Sequence, residues 1–312
     1  VGSLSCGFII GPSFNATGRL DSALIGLDLL LEKDEIKAQE KVKTIRALND
    51  ERKLMTEKGI EKIANQVQNK YLDSKIIVAY EPNIHESIAG IIAGRIKEKY
   101  NKPTIVLTNG KEGVKGSARS IEGYHIYEEL SKARKYLNRF GGHPMAAGLS
   151  LDEINIEVLR NFLNNNSTLT NEDLVPKVYI DIPLNISSID MGLVQELKIL
   201  EPHGKGNPKP LFGQRDLSIR KINVIGSKMN VLKFQFLNTP DMEGIMFSGV
   251  DECIADIVNT HGEEEYNRAL LGKDNNIKID IVYSPSINEY MGRISVQLVI
   301  NNYRIQKNKE RR

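Results

Sequence analysis

From Asp34 to Leu72 the chain runs without a proline, and Ala38, Val42, Ile45, Leu48, Met55, Ile63, Val67 and Tyr71 recur at helical spacing. A segment this long, rich in Lys, Glu, Gln and Ala, with so narrow an apolar stripe, is expected to be one helix acting as a strut or coiled-coil-like connector. It is expected to carry no chemistry of its own. Everything else must therefore be arranged on either side of a rod.

Before the rod, Phe8-Ile-Ile-Gly-Pro12 is too short for a core, so the opening residues read as the end of a domain that begins elsewhere. Asn15 to Arg19 is expected to turn, with Asp21 capping a helix from Ser22 to Leu31. After the rod, Ile76-Ile-Val-Ala-Tyr80 and Thr104-Ile-Val-Leu107 are short continuous apolar runs of the kind that form buried strands. Helices are expected over His85–Tyr100, about Tyr124–Leu137 and about Ile154–Leu163, an α/β alternation. In the first of these, Ala89, Gly90, Ala93 and Gly94 mark a close contact. His85-Glu86 lacks the second histidine, at the position of Ala89, that a zinc-protease motif needs. His85 is expected to cap its helix.

The polar run Asn164–Asn171 marks a boundary. Beyond it come Val178 to Pro183, a helix from about Ile189 to Leu200, and strands of period two. Leu232, Phe234 and Phe236 alternate with Lys233 and Gln235, and Ile294, Val296, Leu298 and Ile300 alternate with Ser295 and Gln297. One apolar face per strand points to a small β-barrel. Residues Gly262 to Asn276 read as a polar insertion.

Charge is nearly balanced, at +2 overall, so any nucleic acid would be held by local patches. Residues 111–140 carry seven Lys/Arg against four Asp/Glu. Cys6 and Cys253, without a Cys-x-x-Cys, argue against a disulfide framework or zinc site and fit a reducing cytosol. No apolar run approaches the length that spans a membrane.

Two short clusters carry candidate chemistry. Phe140-Gly-Gly-His-Pro-Met-Ala-Ala-Gly148 sets paired glycine amides beside His143, expected at a loop-to-strand junction where an anion can approach. Lys115-Gly-Ser-Ala-Arg-Ser120 offers hydroxyls and a guanidinium. With Asn15-Ala-Thr-Gly-Arg19, this ordered set resembles the RecJ family of single-strand-specific exonucleases in the DHH phosphoesterase superfamily. The likeness runs from about Gly11 to about Ile305.

The resemblance implies a fold and a division of labour. Residues 1–31 would close a DHH catalytic domain, 32–73 would be a helical linker, 74–165 a DHH-associated α/β domain, and 172–306 an oligonucleotide-binding (OB) β-barrel. His143, with the amides of Gly141 and Gly142, would hold the scissile phosphate, making His143 the catalytic candidate. Ser117, Arg119 and Ser120, with Asn15 and Arg19, would clamp a terminal phosphate. Tyr283, Tyr290, Phe234 and Phe236 are the aromatic candidates for stacking in the barrel, the phenylalanines being better suited to the core. Manganese or magnesium would be bound by Asp and His motifs, which this sequence lacks and which are expected upstream. The chain is thus expected to be the substrate-holding portion of a cytoplasmic 5′→3′ exonuclease for single-stranded DNA in repair and recombination, inactive alone, with a single-strand-binding protein and a helicase as partners. Two other readings are a DHH branch acting on short RNA or cyclic dinucleotides, and a non-enzymatic docking module.

Overall fold

The structure is a computed structural model describing residues 5–111, 113–204, 206–227, 229–239, 241–290 and 292–307, apart from the side chain of Tyr290. The stacking candidate Tyr290 and the basic tail beyond Lys307 lie outside the described residues. Contacts divide the chain into two compact units, Val1–Pro176 and Lys177–Arg312. No helix of the described residues is long and apolar enough to cross a membrane.

The first unit opens with a π-helical turn (Cys6–Ile10) that runs into α1 (Gly11–Leu20), followed by α2 (Ala23–Leu31). The expected turn at Asn15–Arg19 is therefore helix. Pro12 sits in its first turn, just after the junction with the π-helical turn. Ser22, rather than Asp21, caps α2 by accepting from the Leu24 amide at 3.2 Å. Asp34 caps α3 (Glu35–Gln66), a helix of 32 residues, by accepting from the Lys37 amide at 3.0 Å; a π-helical turn over Val67–Tyr71 follows. The rod is not solvated all round. Ile45, Asn49, Thr56, Gly59, Ile63 and Ala64 are buried along one stripe, and a Cβ on Gly59 would stand 2.4 Å from Ile92 Cδ1.

The sheet that follows holds β1 (Ile77–Tyr80), β2 (Thr104–Gly110), β3 (Gly113–Arg119), β4 (Arg139–His143) and β5 (Ala146–Leu151) in the order β1-β2-β3-β5-β4. The β1–β2 pair is parallel, bridged by α4 (Ala89–Tyr100), and the rest are antiparallel. Alternation sorts the side chains onto two faces. Val78, Ile105, Leu107, Ala118, Ala147 and Leu149 join the core beneath α5 (Ile126–Lys132) and α6 (Ile156–Asn165). On the other face Ile77, Ala79 and Val106 meet Ile92, Ala93 and Ile96 of α4. The strands β4 and β5 contribute no residue to that second core.

In the second unit a short β6 (Ile182–Pro183) and the helix α7 (Met191–Leu197), which Asp190 caps, precede a closed barrel. Its strands are β7 (Phe212–Ile225), β8 (Val231–Phe236), β9 (Glu243–Met246), β10 (Lys278–Tyr290) and β11 (Arg293–Ile305), with β6 paired beside β7. The β10–β7 pairing closes the cylinder, and β9 runs parallel to β11. The polar stretch after α8 (Val250–His261) is largely helical, α9 (Glu263–Leu270), which buries Ala269 beneath its charged surface. Phe234 and Phe236 are core, and Tyr283 is fully buried with its hydroxyl donating 2.8 Å to Leu184 O. None of these three rings is placed to stack on a base. Phe234→Ala should cost the barrel about 3–5 kcal/mol through the cavity it leaves. Thermal melting followed by circular dichroism is expected to show that as a loss of roughly 10 °C or more.

Candidate nucleic-acid interface

Register brings the two clusters together. Arg119 pairs with Ala146, which pairs with His143; Ser117 pairs with Gly148, which pairs with Gly141. Residues in such a row share a face, and strands lie about 4.8 Å apart, so the Arg119 and His143 Cα atoms are roughly 10 Å apart. A third row, Lys115–Ser150–Arg139, lies on the same face. This is the face that α4 covers over β2 and β3 and leaves open over β5 and β4. Cations flank it, and small residues floor it.

The floor is open because it lacks side chains. A Cβ on Gly141 or Gly148 would meet nothing within 4 Å. Gly142 differs: its Cβ would stand 2.4 Å from Ala146 O and 2.5 Å from Ala147 Cα, so this glycine lets the β4–β5 hairpin close. The pair is strand, not loop, and His143 ends β4 at the hairpin tip, where it is exposed. Successive residues of an edge strand direct their N–H groups to opposite sides. One of the two glycine amides therefore points along the sheet toward β5 and one points off the edge, which corrects the expectation that both face an anion.

Arg119 is half-buried, with Nη1 donating 2.8 Å to Ala118 O. It reaches over α4 at Gly90, where a Cβ would stand 2.7 Å from Nη2 and 3.4 Å from Ser117 Oγ. Of the small residues expected to mark a close contact, Gly90 serves this guanidinium, whereas a Cβ on Gly94 would meet nothing within 4 Å. Arg19, on α1, donates to Ser87 O at 2.5 Å. Asn15 stands one helical turn earlier and is exposed. Ser120 leaves the set. It is buried, and its hydroxyl is committed to Tyr124 O at 2.5 Å, because after β3 its side chain turns inward toward the core.

A cleft of about 420 Å³ opens between Ser117 and Gly148 on one side and Glu86–Ala89 on the other. Lys115 pairs with Glu86 at 2.8 Å and holds its carboxyl below the usual range. His85 caps the turn Glu86–Ile88, accepting from the Ser87 amide at 3.3 Å, as its position suggested. A larger cleft, about 610 Å³, lies around Arg160. Two of its groups are tied to the sheet: Arg160 Nε donates 2.8 Å to Val78 O, and Asn164 accepts from and donates to Ile76 at 3.0 and 2.9 Å. That cleft is a structural clamp.

Two cations escaped the sequence reading. Arg139 is exposed on the open face, two residues before Gly141, where period-two counting back from His143 would have found it. Arg52, on α3, donates to Asn49 Oδ1 through Nε and Nη2 at 3.2 and 3.0 Å. Burial, then the nearby charge of Arg19, pushes both Arg119 and Arg52 below the ordinary guanidinium range. Among the described residues, no group of three or more His, Cys, Asp or Glu is arranged to hold a metal ion.

Comparison with known proteins gives two domain matches: the DHHA1 domain over residues 73–167 and the RecJ OB domain over residues 180–302. The single-stranded-DNA-specific exonuclease RecJ of Bacillus subtilis is 32% identical over 300 residues, covering 95% of this chain and 36% of that protein. Its namesake from Haemophilus influenzae is 33% identical over 312 residues, covering 96% and 51%. The chain thus spans about half, or less, of the length of these relatives. The crystal structure of RecJ in complex with Mg2+ from Thermus thermophilus superposes with a TM-score of 0.76 at 25% identity, over 97% of this chain and 44% of that one.

Proposed function

The chain belongs to the RecJ family, and from that premise we propose that it is the substrate-holding portion of a 5′→3′ single-stranded-DNA exonuclease. The observation that carries this reading is the single open face on which Ser117, Arg119, Gly141 and His143 stand together. A guanidinium fork donates bidentately to phosphate oxygens, so Arg119, with Arg19 and the Ser117 hydroxyl, suits a terminal phosphate. One or two strand spacings away, the exposed His143 and whichever glycine amide points off the edge suit the next phosphodiester, donating to charge that develops there during hydrolysis. Lys115 and Arg139 would track the strand along the same face. A narrow cleft of this size admits one strand and excludes a duplex.

Among the described residues no group of three or more His, Cys, Asp or Glu is arranged to hold manganese or magnesium. In a whole RecJ-type protein such ions would be held by other residues and would activate the attacking water. The OB barrel favours long strands over dinucleotides, since a dinucleotide needs no distal grip. A cytoplasmic setting in DNA repair and recombination, with a single-strand-binding protein and a helicase as partners, belongs to the same proposal and rests on the family.

Fluorescence anisotropy with labelled oligodeoxynucleotides tests it. The chain is expected to bind a 5′-phosphorylated single strand in preference to a 5′-hydroxyl strand or a blunt duplex. Log affinity should fall with log salt by about 0.7 per phosphate contact. In manganese buffer the chain alone should release no mononucleotides. Equal affinity for single strand and duplex would overturn the reading.

A further inference from the structure

The buried stripe of α3 runs through Ile45, Asn49, Thr56, Gly59 and Ile63, and Arg52 occupies the position on it between Asn49 and Thr56. Arg52 is half-buried there, and a partly desolvated cation favours a compensating charge. Its hydrogen bonds end on Asn49 Oδ1, a neutral oxygen. The helix is fixed at both ends of this stretch. Asn49 Nδ2 donates to Ser13 Oγ of α1 at 3.3 Å, and Gly59 abuts Ile92 and Ile84 beside the Ser87 turn. From Ser13, α1 runs on to Arg19, which lands on that same turn through Ser87 O. Arg52 therefore lies along the seam that ends at Arg19.

Arg119 closes the group from β3, with its own bond to Ala118 O. The three guanidiniums each bond a neutral oxygen, the charge of Arg19 acts on both Arg52 and Arg119, and among the described residues no ion pair to a carboxylate accompanies them. A phosphodiester carries one negative charge, whereas a terminal phosphomonoester carries nearly two at neutral pH. We propose that Arg52 is the third cation of the end-recognition site, supplying the positive charge that makes it select a phosphomonoester dianion over a diester or a hydroxyl end. This inference rests on the terminal-phosphate reading of Arg19 and Arg119.

The test compares wild type, Arg52→Gln, Arg52→Lys and Arg119→Ala, each as the full chain, binding matched 5′-phosphoryl and 5′-hydroxyl oligodeoxynucleotides. Arg52→Gln is expected to lower the phosphoryl-over-hydroxyl preference about fivefold to tenfold and leave hydroxyl-end affinity within about twofold. Arg52→Lys, which keeps the charge, should retain the preference within about twofold. The wild-type preference should weaken as pH falls below about 6, where the monoester loses its second charge. If Arg119→Ala loses the preference while Arg52→Gln keeps it, Arg52 is structural and the inference is overturned while the site reading stands. If Lys and Gln lose it equally, charge is not what Arg52 provides, and the inference again fails. A wild type with no preference overturns the inference and the end-recognition reading together.

Discussion

Arg119→Ala should cut the preference for a 5′-phosphorylated end by about 10-fold to 100-fold, with little change in affinity for a 5′-hydroxyl strand. The magnitude follows from hydrogen bonds to charged groups, worth about 1.5–3 kcal/mol in net terms. Arg119 is suited to give the upper part of that range. Its guanidinium is half-buried, is preset by the Ala118 carbonyl, and is fitted against a helix position that has no side chain. Less entropy is then lost on capturing the anion than with a free surface arginine. Competition binding with matched oligonucleotides, repeated across salt, reads both quantities. The salt slope should fall by about 0.7 for one lost contact on a single strand. Equal loss for both ends would make Arg119 a general strand contact and remove the pocket from the scheme.

The paired glycines should part company under the same mutation. Gly142→Ala pushes a methyl group to within 2.4 Å of a carbonyl oxygen and 2.5 Å of a Cα, both backbone atoms that cannot rotate away. Forced overpacking of this kind costs about 1–3 kcal/mol, so the melting temperature should fall by several degrees and the hairpin carrying His143 should shift. Gly141→Ala meets no atom within 4 Å and replaces a conformationally free residue in a strand. Its stability should hold or rise slightly. Strand affinity should nevertheless fall, about tenfold, because the new methyl stands on the open face beside Gly148. Thermal melting beside anisotropy separates the two effects. Unchanged affinity in Gly141→Ala would mean that the floor does not touch the substrate.

Much of this was legible in the residues. The rod, the buried strands at Ile77–Tyr80 and Thr104–Leu107, and the inward set Leu232, Phe234 and Phe236 all follow from local periodicity, which packing then enforced. The polar stretch at Gly262–Asn276 hid a helix because its first turn is Glu263–Glu264–Glu265, and few apolar residues reveal a period. Asn15–Arg19 was hidden by its own glycine. Gly18 looks like a turn former but stands in a helix that α3 supports. Ser120 looked equivalent to Ser117 in sequence, yet it lies one residue past the strand and turns inward. The rod seemed to carry no chemistry because an arginine within a run of charged residues reads as solvated surface. The proposal for Arg52 starts instead from the buried stripe on either side of it.

The helix α4 both seals half of one sheet face and forms the bank against which Arg119 is fitted. Ile92, Ala93 and Ile96 anchor it, while Gly90 on the same helix meets the guanidinium. Such a shared wall ties durability to grip. A substitution that slid this helix outward to widen the channel would also uncover the residues that keep the domain together. Variants selected for bulkier or modified strand ends should therefore melt earlier, unless they change only the open-face positions of β4 and β5, such as Gly141, Ala146 and Gly148, on the side where those strands bury no core residue.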